Sequence, residues 1–204
     1  MNYLTVKNAC VEKIIKKSKF ITYVFNIHSQ EEATSILKDL RKKYYDCTHI
    51  CYGYIADIEG KDIRFSDDGE PGGTAGQPIL EVIKMNNLRY TLVAIVRYFG
   101  GIKLGASGLT RAYSDCASHG IHACEIENFI LCNTYKITLD FNLYQKLLNI
   151  LQYNQVKIQS TNFTNIVSMV LAIPTENNFS DYLINWSCGK IQPVLLNQSY
   201  QKFN

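Results

Sequence analysis

The sequence predicts an α+β protein of two domains, and two observations lead to this fold class. Eight of the twelve glycines fall within residues 69–108, whereas residues 136–204 hold a single glycine, Gly189. The second half also shows the predicted element order βαββαβ. At about 100 to 150 residues per domain, a chain of 204 residues has room for two small domains. We place these domains at residues 1–132 and 133–204.

The N-terminal half alternates predicted strands with three predicted helices. Apolar residues recur over positions 11–27 around the basic turn at residues 16–19, which indicates two short strands. Ser29 followed by Glu32 forms a capping box for a helix that ends in a basic segment, residues 41–43. The further elements predicted here are a strand at 48–58, its hairpin partner at 63–65, a helix at 77–85, a buried strand at 91–99 and a helix at 104–123.

The C-terminal half predicts a ferredoxin-like domain, in which an antiparallel sheet carries two helices on one face. The predicted elements are a strand at 135–141, a helix at 143–153 behind Asn142, strands at 156–163 and 166–173, a helix at 179–187 and a strand at 191–196.

Charge, hydropathy and cysteine content exclude several classes of protein. A formal net charge of +3 is too mild to indicate nucleic-acid binding by bulk charge alone. The longest apolar runs, such as residues 92–96, are far shorter than the roughly 20 residues of a membrane-spanning helix. The N-terminus lacks the apolar stretch and small-residue cleavage site of a secretory signal. Seven cysteines form an odd set without paired spacing, so we expect reduced thiols and a cytoplasmic protein.

Two segments carry the chemistry of the first domain. The acidic signature, residues 65–80 (FSDDGEPGGTAGQPIL), places Asp67, Asp68 and Glu70 before a glycine-rich loop that enters a helix. The glycine signature, residues 96–113 (VRYFGGIKLGASGLTRAY), joins a buried strand to a helix. Its four glycines are Gly100, Gly101, Gly105 and Gly108.

Together with the motif THICYGY at residues 48–54, these signatures strongly resemble those of the IMPACT family, whose bacterial members are called YigZ. The resemblance implies an N-terminal domain like the second domain of ribosomal protein S-five. It also implies a C-terminal ferredoxin-like domain similar to those of elongation factor G. Members are linked to translational control, and the eukaryotic relatives bind partner proteins and ribosomes in the amino-acid starvation response. The sequence departs from the family pattern at Ser107, where a glycine is expected.

The glycine signature lies in a basic segment, because residues 84–114 hold five basic side chains and no acidic one. Glycines let backbone N–H groups approach an anion, and the following helix offers its positive end. Alternatively, the glycines only permit a tight turn, and the arginines pair with the acidic signature. The residues predicted to bind a phosphate or a partner are Arg97, Gly100, Gly101, Lys103, Gly105, Gly108 and Arg111.

The acidic signature allows two roles. Asp67, Asp68 and Glu70 can orient the basic groups, or they can hold Mg²⁺ through carboxylate oxygens. The second role would belong to an enzyme that acts on a phosphorylated small molecule held by the glycine loop. Because the sequence contains no P-loop, GxSxG or HExxH motif, we expect binding rather than catalysis and no required cofactor.

Two sets of cysteines and histidines resemble metal ligands. Cys47, His49 and Cys51 share one face of a predicted strand, but a structural zinc site needs four donors and usually a CxxC turn. We therefore expect buried thiols that pack in the core. The same expectation holds for the helical set Cys116, His119, His122 and Cys124.

The function that these observations favour is translation-linked regulation by a cytoplasmic protein without membrane contact. It would bind the ribosome, RNA or a translation-associated partner through the two signatures. The alternatives are the enzyme described above and a protein-interaction adaptor without nucleic-acid contact, which salt dependence distinguishes from a phosphate binder.

Overall fold

A computed structural model describes residues 2–203, which form two compact units. The N-terminal unit is Tyr3–Asn128, and the C-terminal unit comprises residues 129–203 together with Asn2. Among the described residues, no helix is long and apolar enough to cross a membrane.

A five-stranded antiparallel sheet forms the centre of the N-terminal unit. In pairing order its strands are β2 (Ala9–Ile15), β3 (Ser18–Asn26), β6 (Thr91–Tyr98), β4 (His49–Ile55) and β5 (Ile63–Ser66). Strand β6 is central and almost wholly buried, as its continuous apolar run predicts. The sequence did not predict strand β1 (Asn2–Val6). The Leu4 carbonyl of this strand accepts a hydrogen bond of 2.8 Å from the Arg89 N–H.

Helices cover both faces of this sheet. They are α1 (Gln30–Lys43), α2 (Gly76–Met85) and α3 (Ala106–His122). Because strand side chains alternate between faces, Val96 packs in the cluster that contains Leu40 of α1, whereas Ile95 packs with residues of α2 and α3. The unit therefore has three layers, with α1 on one face of the sheet and α2 and α3 on the other.

The N-cap predicted for α1 at Ser29 is confirmed, and the return bond from Glu32 is shifted by one residue. The Ser29 Oγ accepts a hydrogen bond from the Glu32 N–H at 3.3 Å, which satisfies a backbone donor that the helix start leaves unpaired. Glu32 Oε2 accepts a hydrogen bond of 2.7 Å from the N–H of His28, the residue before the N-cap, rather than from Ser29.

The C-terminal unit has the predicted ferredoxin-like order, with β10 beside β7, β7 beside β9 and β9 beside β8. Its elements are β7 (Ile126–Leu139), α4 (Phe141–Leu151), β8 (Lys157–Phe163), β9 (Val167–Pro174), α5 (Phe179–Trp186) and β10 (Val194–Phe203). Leu147 of α4 and Leu183 of α5 pack in one core with Ile137 and Met169 of the sheet, so both helices cover the same face.

Two details of this unit differ from the sequence prediction. The N-cap of α4 is Asp140 rather than Asn142, because the Asp140 carboxylate accepts a hydrogen bond from the Leu143 N–H at 2.8 Å. The last strand runs to Phe203 and not to Leu196, although its second half is largely polar.

Candidate functional site

The candidate site lies at the end of the N-terminal sheet where α3 begins. The register of β4 on β6 sets His49 opposite Arg97, and the register of β3 on β6 sets Phe20 on the other side of Arg97. Directly opposed residues of neighbouring strands share a face, so all three side chains lie on the face covered by α2 and α3.

Arg97 is at the centre of this site and is only 4% exposed. Its Nη1 donates to Glu70 Oε1 at 2.5 Å, and its Nη2 donates to the Ser18 hydroxyl at 3.2 Å. The guanidinium also lies 5.6 Å from the centre of the Phe99 ring, which is a cation–π distance. Its buried Nε has no hydrogen-bond partner among the described residues. Arg97 is thus part of the floor of the site, where it forms a buried ion pair.

Glu70 receives a second hydrogen bond, from the hydroxyl of Tyr113 to Oε1 at 2.7 Å. The Cys51 thiol lies against the same hydroxyl, with Sγ 3.3 Å from the Tyr113 oxygen. Burial raises the pKa of the Cys51 thiol to about 12 and also raises the pKa of Tyr113, so both groups stay neutral at physiological pH. Cys51 therefore lacks the thiolate that nucleophilic chemistry needs.

Asp67 stabilises the glycine-rich loop rather than facing the pocket of the site. Its Oδ1 accepts hydrogen bonds from the N–H groups of Ala75 and Gly76, and its Oδ2 accepts one from Gly73, each at 2.9 Å. Desolvation raises the pKa of this carboxyl, but the three backbone donors outweigh it, and the pKa lies below the ordinary Asp value. The carboxylate thereby caps the start of α2, whose N-cap residue Ala75 has no side chain for that role.

Asp68 forms an ion pair with Arg41, and its Oδ2 accepts a hydrogen bond from the Ile50 N–H at 2.6 Å. The Asp68 carbonyl lies 2.7 Å from Nδ1 of His49. Because a carbonyl oxygen can only accept, Nδ1 carries a hydrogen and donates it to this carbonyl. The Nε2 of His49 lies 3.9 Å from Glu70 Oε2.

The loop between β6 and α3 depends on two glycines for different reasons. A Cβ at Gly100 would lie 2.0 Å from the Lys17 carbonyl group, so the backbone can pass there only without a side chain. Gly105 has φ +74° and is the N-cap of α3. Gly101 also has a positive φ with open space around it, and Gly108 lies in the first turn of α3. Ser107 lies in that turn too, and its φ is not positive, so the helix does not require a glycine at this position.

Lys103 and Arg111 differ from Arg97, because both are exposed. Neither forms an ion pair or a side-chain hydrogen bond with the rest of the described chain. Lys103 lies in the loop before α3, and Arg111 lies in its second turn. They are the basic side chains of the glycine signature that a partner can reach.

A pocket of about 420 Å³ opens between these elements. Four of the predicted site residues line it: Glu70, Arg97, Lys103 and Gly105. The other lining residues are not among the residues predicted to bind a phosphate or a partner. Those residues are Thr48, His49, Pro71, Phe99, Leu104, Ala106 and Leu109. Thr48 and His49 belong to the THICYGY motif, and Phe99 belongs to the glycine signature. Their place in these motifs is the feature of the sequence that could have identified them as lining residues.

The two sets of potential metal ligands do not converge. No group of three or more His, Cys, Asp or Glu side chains suited to an ion occurs within residues 2–203. The thiol of Cys51 points to the Asp67 carbonyl, at 3.0 Å, and that of Cys124 to the Gly120 carbonyl, at 3.3 Å.

The fold and site define a class of two-domain α+β proteins. The family described as Impact N-terminal domain matches residues 16–121, and the domain of unknown function DUF1949 matches residues 137–190. The first match spans more than half of the chain and contains both signatures. The chain belongs to the IMPACT family.

Individual relatives agree with this assignment. The IMPACT family member YvyE of Bacillus subtilis is 33% identical over 192 residues, which cover 93% of this chain and 88% of that protein. The IMPACT family member YigZ of Escherichia coli is 28% identical over 90% of this chain and 92% of that protein. A crystal structure described as that of a hypothetical protein superposes with a TM-score of 0.62 at 27% identity, covering 96% of this chain and 98% of that chain.

Proposed function

We propose that this protein acts in translation-linked regulation and binds the ribosome, RNA or a translation-associated partner through its two signatures. Membership of the IMPACT family supports the link to translation that the sequence resemblance implies. The observation that carries the proposed binding surface is the pair of exposed cations, Lys103 and Arg111, at the start of α3.

The surface around these cations is suited to phosphate groups. The segment from Lys84 to Ser114 contains no acidic residue, so nothing within it neutralises Lys103 and Arg111. The first turn of α3 adds the positive end of a helix of 17 residues. Contacts of this kind position a protein on a nucleic-acid backbone without reading its sequence.

The carboxylates of the acidic signature support a binding role more than a metal-dependent one. Asp67 accepts three backbone hydrogen bonds, Asp68 pairs with Arg41 and Glu70 pairs with Arg97. They orient the loops and Arg97, which is one of the two roles that the sequence allows, and few of their oxygens are left to coordinate Mg²⁺.

Co-sedimentation of the purified protein with ribosomes and with total RNA tests the proposal. The double variant Lys103→Ala, Arg111→Ala should bind on the order of tenfold more weakly at about 100 mM salt, because two phosphate contacts are lost. The matched control is Lys38→Ala, Lys42→Ala. It removes the same charge from α1, on the opposite face of the sheet, and both side chains are exposed.

The control should bind like the unmodified protein. Equal binding by both double variants would overturn the proposed surface. Binding that is strong but insensitive to salt would favour the protein-interaction adaptor, because an apolar interface does not weaken steeply as salt rises.

A further inference from the structure

We infer that the pocket at the start of α3 binds one nucleoside monophosphate unit, either as a free nucleotide or as the 5′ end of an RNA. The RNA form rests on the proposed function, whereas the free-nucleotide form does not. A volume of about 420 Å³ is at the smaller end of ligand pockets, which span roughly 300 to 1,000 Å³, and suits one unit rather than a strand.

The start of α3 provides the place for the phosphate. The N-cap residue Gly105 has no side chain to cap the helix, and the first turn contains no acidic residue. The first hydrogen bond of the helix runs from the Leu109 N–H to the Gly105 carbonyl. The N–H groups of residues 106–108 therefore have no acceptor among the described residues, and Lys103 stands beside them with an unpaired ammonium.

Lys103 gives the pocket lining an excess of positive charge. Arg97 also lines the pocket, with a side chain that is only 5% exposed, but its ion pair with Glu70 balances those two charges. Lys103 forms no ion pair with the described residues, so its charge remains for an anion.

The opposite wall offers a carboxylate oxygen to a ligand. The Glu70 side chain is only 4% exposed, its Oε2 receives no hydrogen bond from the described residues, and Nε2 of His49 lies 3.9 Å from that oxygen. An unpartnered, buried oxygen of this kind suits a ligand hydroxyl group, such as one of a ribose, because a hydroxyl can donate to it.

The remaining wall is apolar and suits a base. Phe99 is 46% exposed, and it lines the pocket with Leu104 and Leu109. Nucleobases stack on exposed aromatic rings of this kind without strong sequence preference. Phosphate, hydroxyl and base positions together define a nucleotide rather than a bare anion.

Calorimetric titration of the full chain with AMP and CMP, with adenosine and with inorganic phosphate tests the inference. The key variant is Ala106→Glu, which places a carboxylate in the pocket at the start of α3. An acidic residue at this position favours the helix, so the variant should fold. The matched control is Thr110→Glu, which adds the same charge one turn later on the same helix, at an exposed residue that does not line the pocket.

The nucleotides should bind about tenfold more tightly than adenosine or inorganic phosphate, and Ala106→Glu should weaken them by on the order of tenfold while Thr110→Glu changes affinity less than about twofold. Alternatively, RNA oligonucleotides with a 5′-phosphate should bind more tightly than those with a 5′-hydroxyl, and Ala106→Glu should abolish this difference. That result supports the inference with an RNA end as the source.

Three results would overturn the inference: equal binding of nucleotide and nucleoside or phosphate, equal binding by Ala106→Glu and the unmodified protein, or no dependence on a phosphate in either set of ligands. RNA binding that is independent of the 5′ group and is lost only in Lys103→Ala, Arg111→Ala would refute the pocket while leaving the proposed function intact.

Discussion

The role of Arg97 depends on residues that are distant in the sequence and adjacent in the sheet. In the sequence it is the one charged residue after a run of apolar residues, and its charge indicates a surface contact. In the fold it shares with Val93 and Ile95 the face of β6 under α2 and α3, so its side chain is buried and needs a partner. Glu70, which lies 27 positions earlier, supplies one. The residue types were visible in the sequence, but the register that pairs them was not.

Replacing Arg97 with Ala should lower the free energy of unfolding by about 3 to 5 kcal/mol, because Glu70 is then left buried without its counter-charge. Chemical denaturation measures this loss. The matched control is Arg41→Ala, which breaks the more exposed pair with Asp68 and should cost about 1 kcal/mol or less. Similar losses in the two variants would contradict the assignment of Arg97 to the floor of the site.

The hydrogen bonds of Asp67 predict a specific pH dependence of stability. The folded pKa lies below the ordinary value of 3.8, so the stabilisation by the carboxylate is fully present above that value and is lost as the pH falls through the lower folded pKa. Asp67→Asn should therefore be less stable than the unmodified protein at about pH 6, and the difference should shrink toward about pH 3.

Urea denaturation at these two pH values measures the difference, with Asp39→Asn as the control. Asp39 is an exposed residue of α1 whose carboxylate forms a surface ion pair with Lys42. The loss of unfolding free energy in Asp67→Asn could be the same at both pH values, or no larger than in the control. Either result would show that the charge of Asp67 does not strengthen its three backbone hydrogen bonds.

At the scale of elements, the loop from β6 to α3 is fixed by close backbone packing at Gly100. Gly100→Ala should be strongly destabilising, because the new Cβ would lie 2.0 Å from the backbone of Lys17, which cannot move without shifting the turn between β2 and β3. Gly101→Ala should cost only about 1 to 2 kcal/mol, since φ at Gly101 is +83° but nothing surrounds the Cβ position.

Thermal unfolding of the two variants compares these effects directly. A Gly100→Ala protein as stable as Gly101→Ala would contradict the close approach of the two loops.

An element could be predicted from the sequence where the residues that start and end it lie within it or directly beside it. Helix α1 was predicted because Ser29 and Glu32 provide a start and the basic segment an end, all within the helix and its cap. Helix α2 was predicted at 77–85, close to its observed range, but its cap could not be predicted, since it comes from Asp67, eight positions before Ala75. Strand β10 extends beyond the predicted Leu196 through polar residues, because its ladder to β7 does not require an apolar pattern.

At the scale of the whole molecule, two different domain models match the two halves of the chain, at residues 16–121 and 137–190. Glycine content distinguishes them, because the loops around the site need glycines at Gly100 and Gly105, whereas the βαββαβ unit is built from short connections. What the sequence could not supply is the pocket, since its walls come from β4, the acidic signature and the start of α3. Their meeting is a property of the folded sheet.

We propose that this protein binds phosphate groups of RNA or the ribosome through Lys103 and Arg111. The most direct test is the dependence of RNA binding on salt between about 50 and 200 mM, compared between the unmodified protein and Lys103→Ala, Arg111→Ala. We expect binding to weaken steeply with salt, and the slope of log affinity against log salt should be smaller in the variant by about one for each lost contact. The same slope in both proteins, or no RNA binding at either salt, would contradict the proposal.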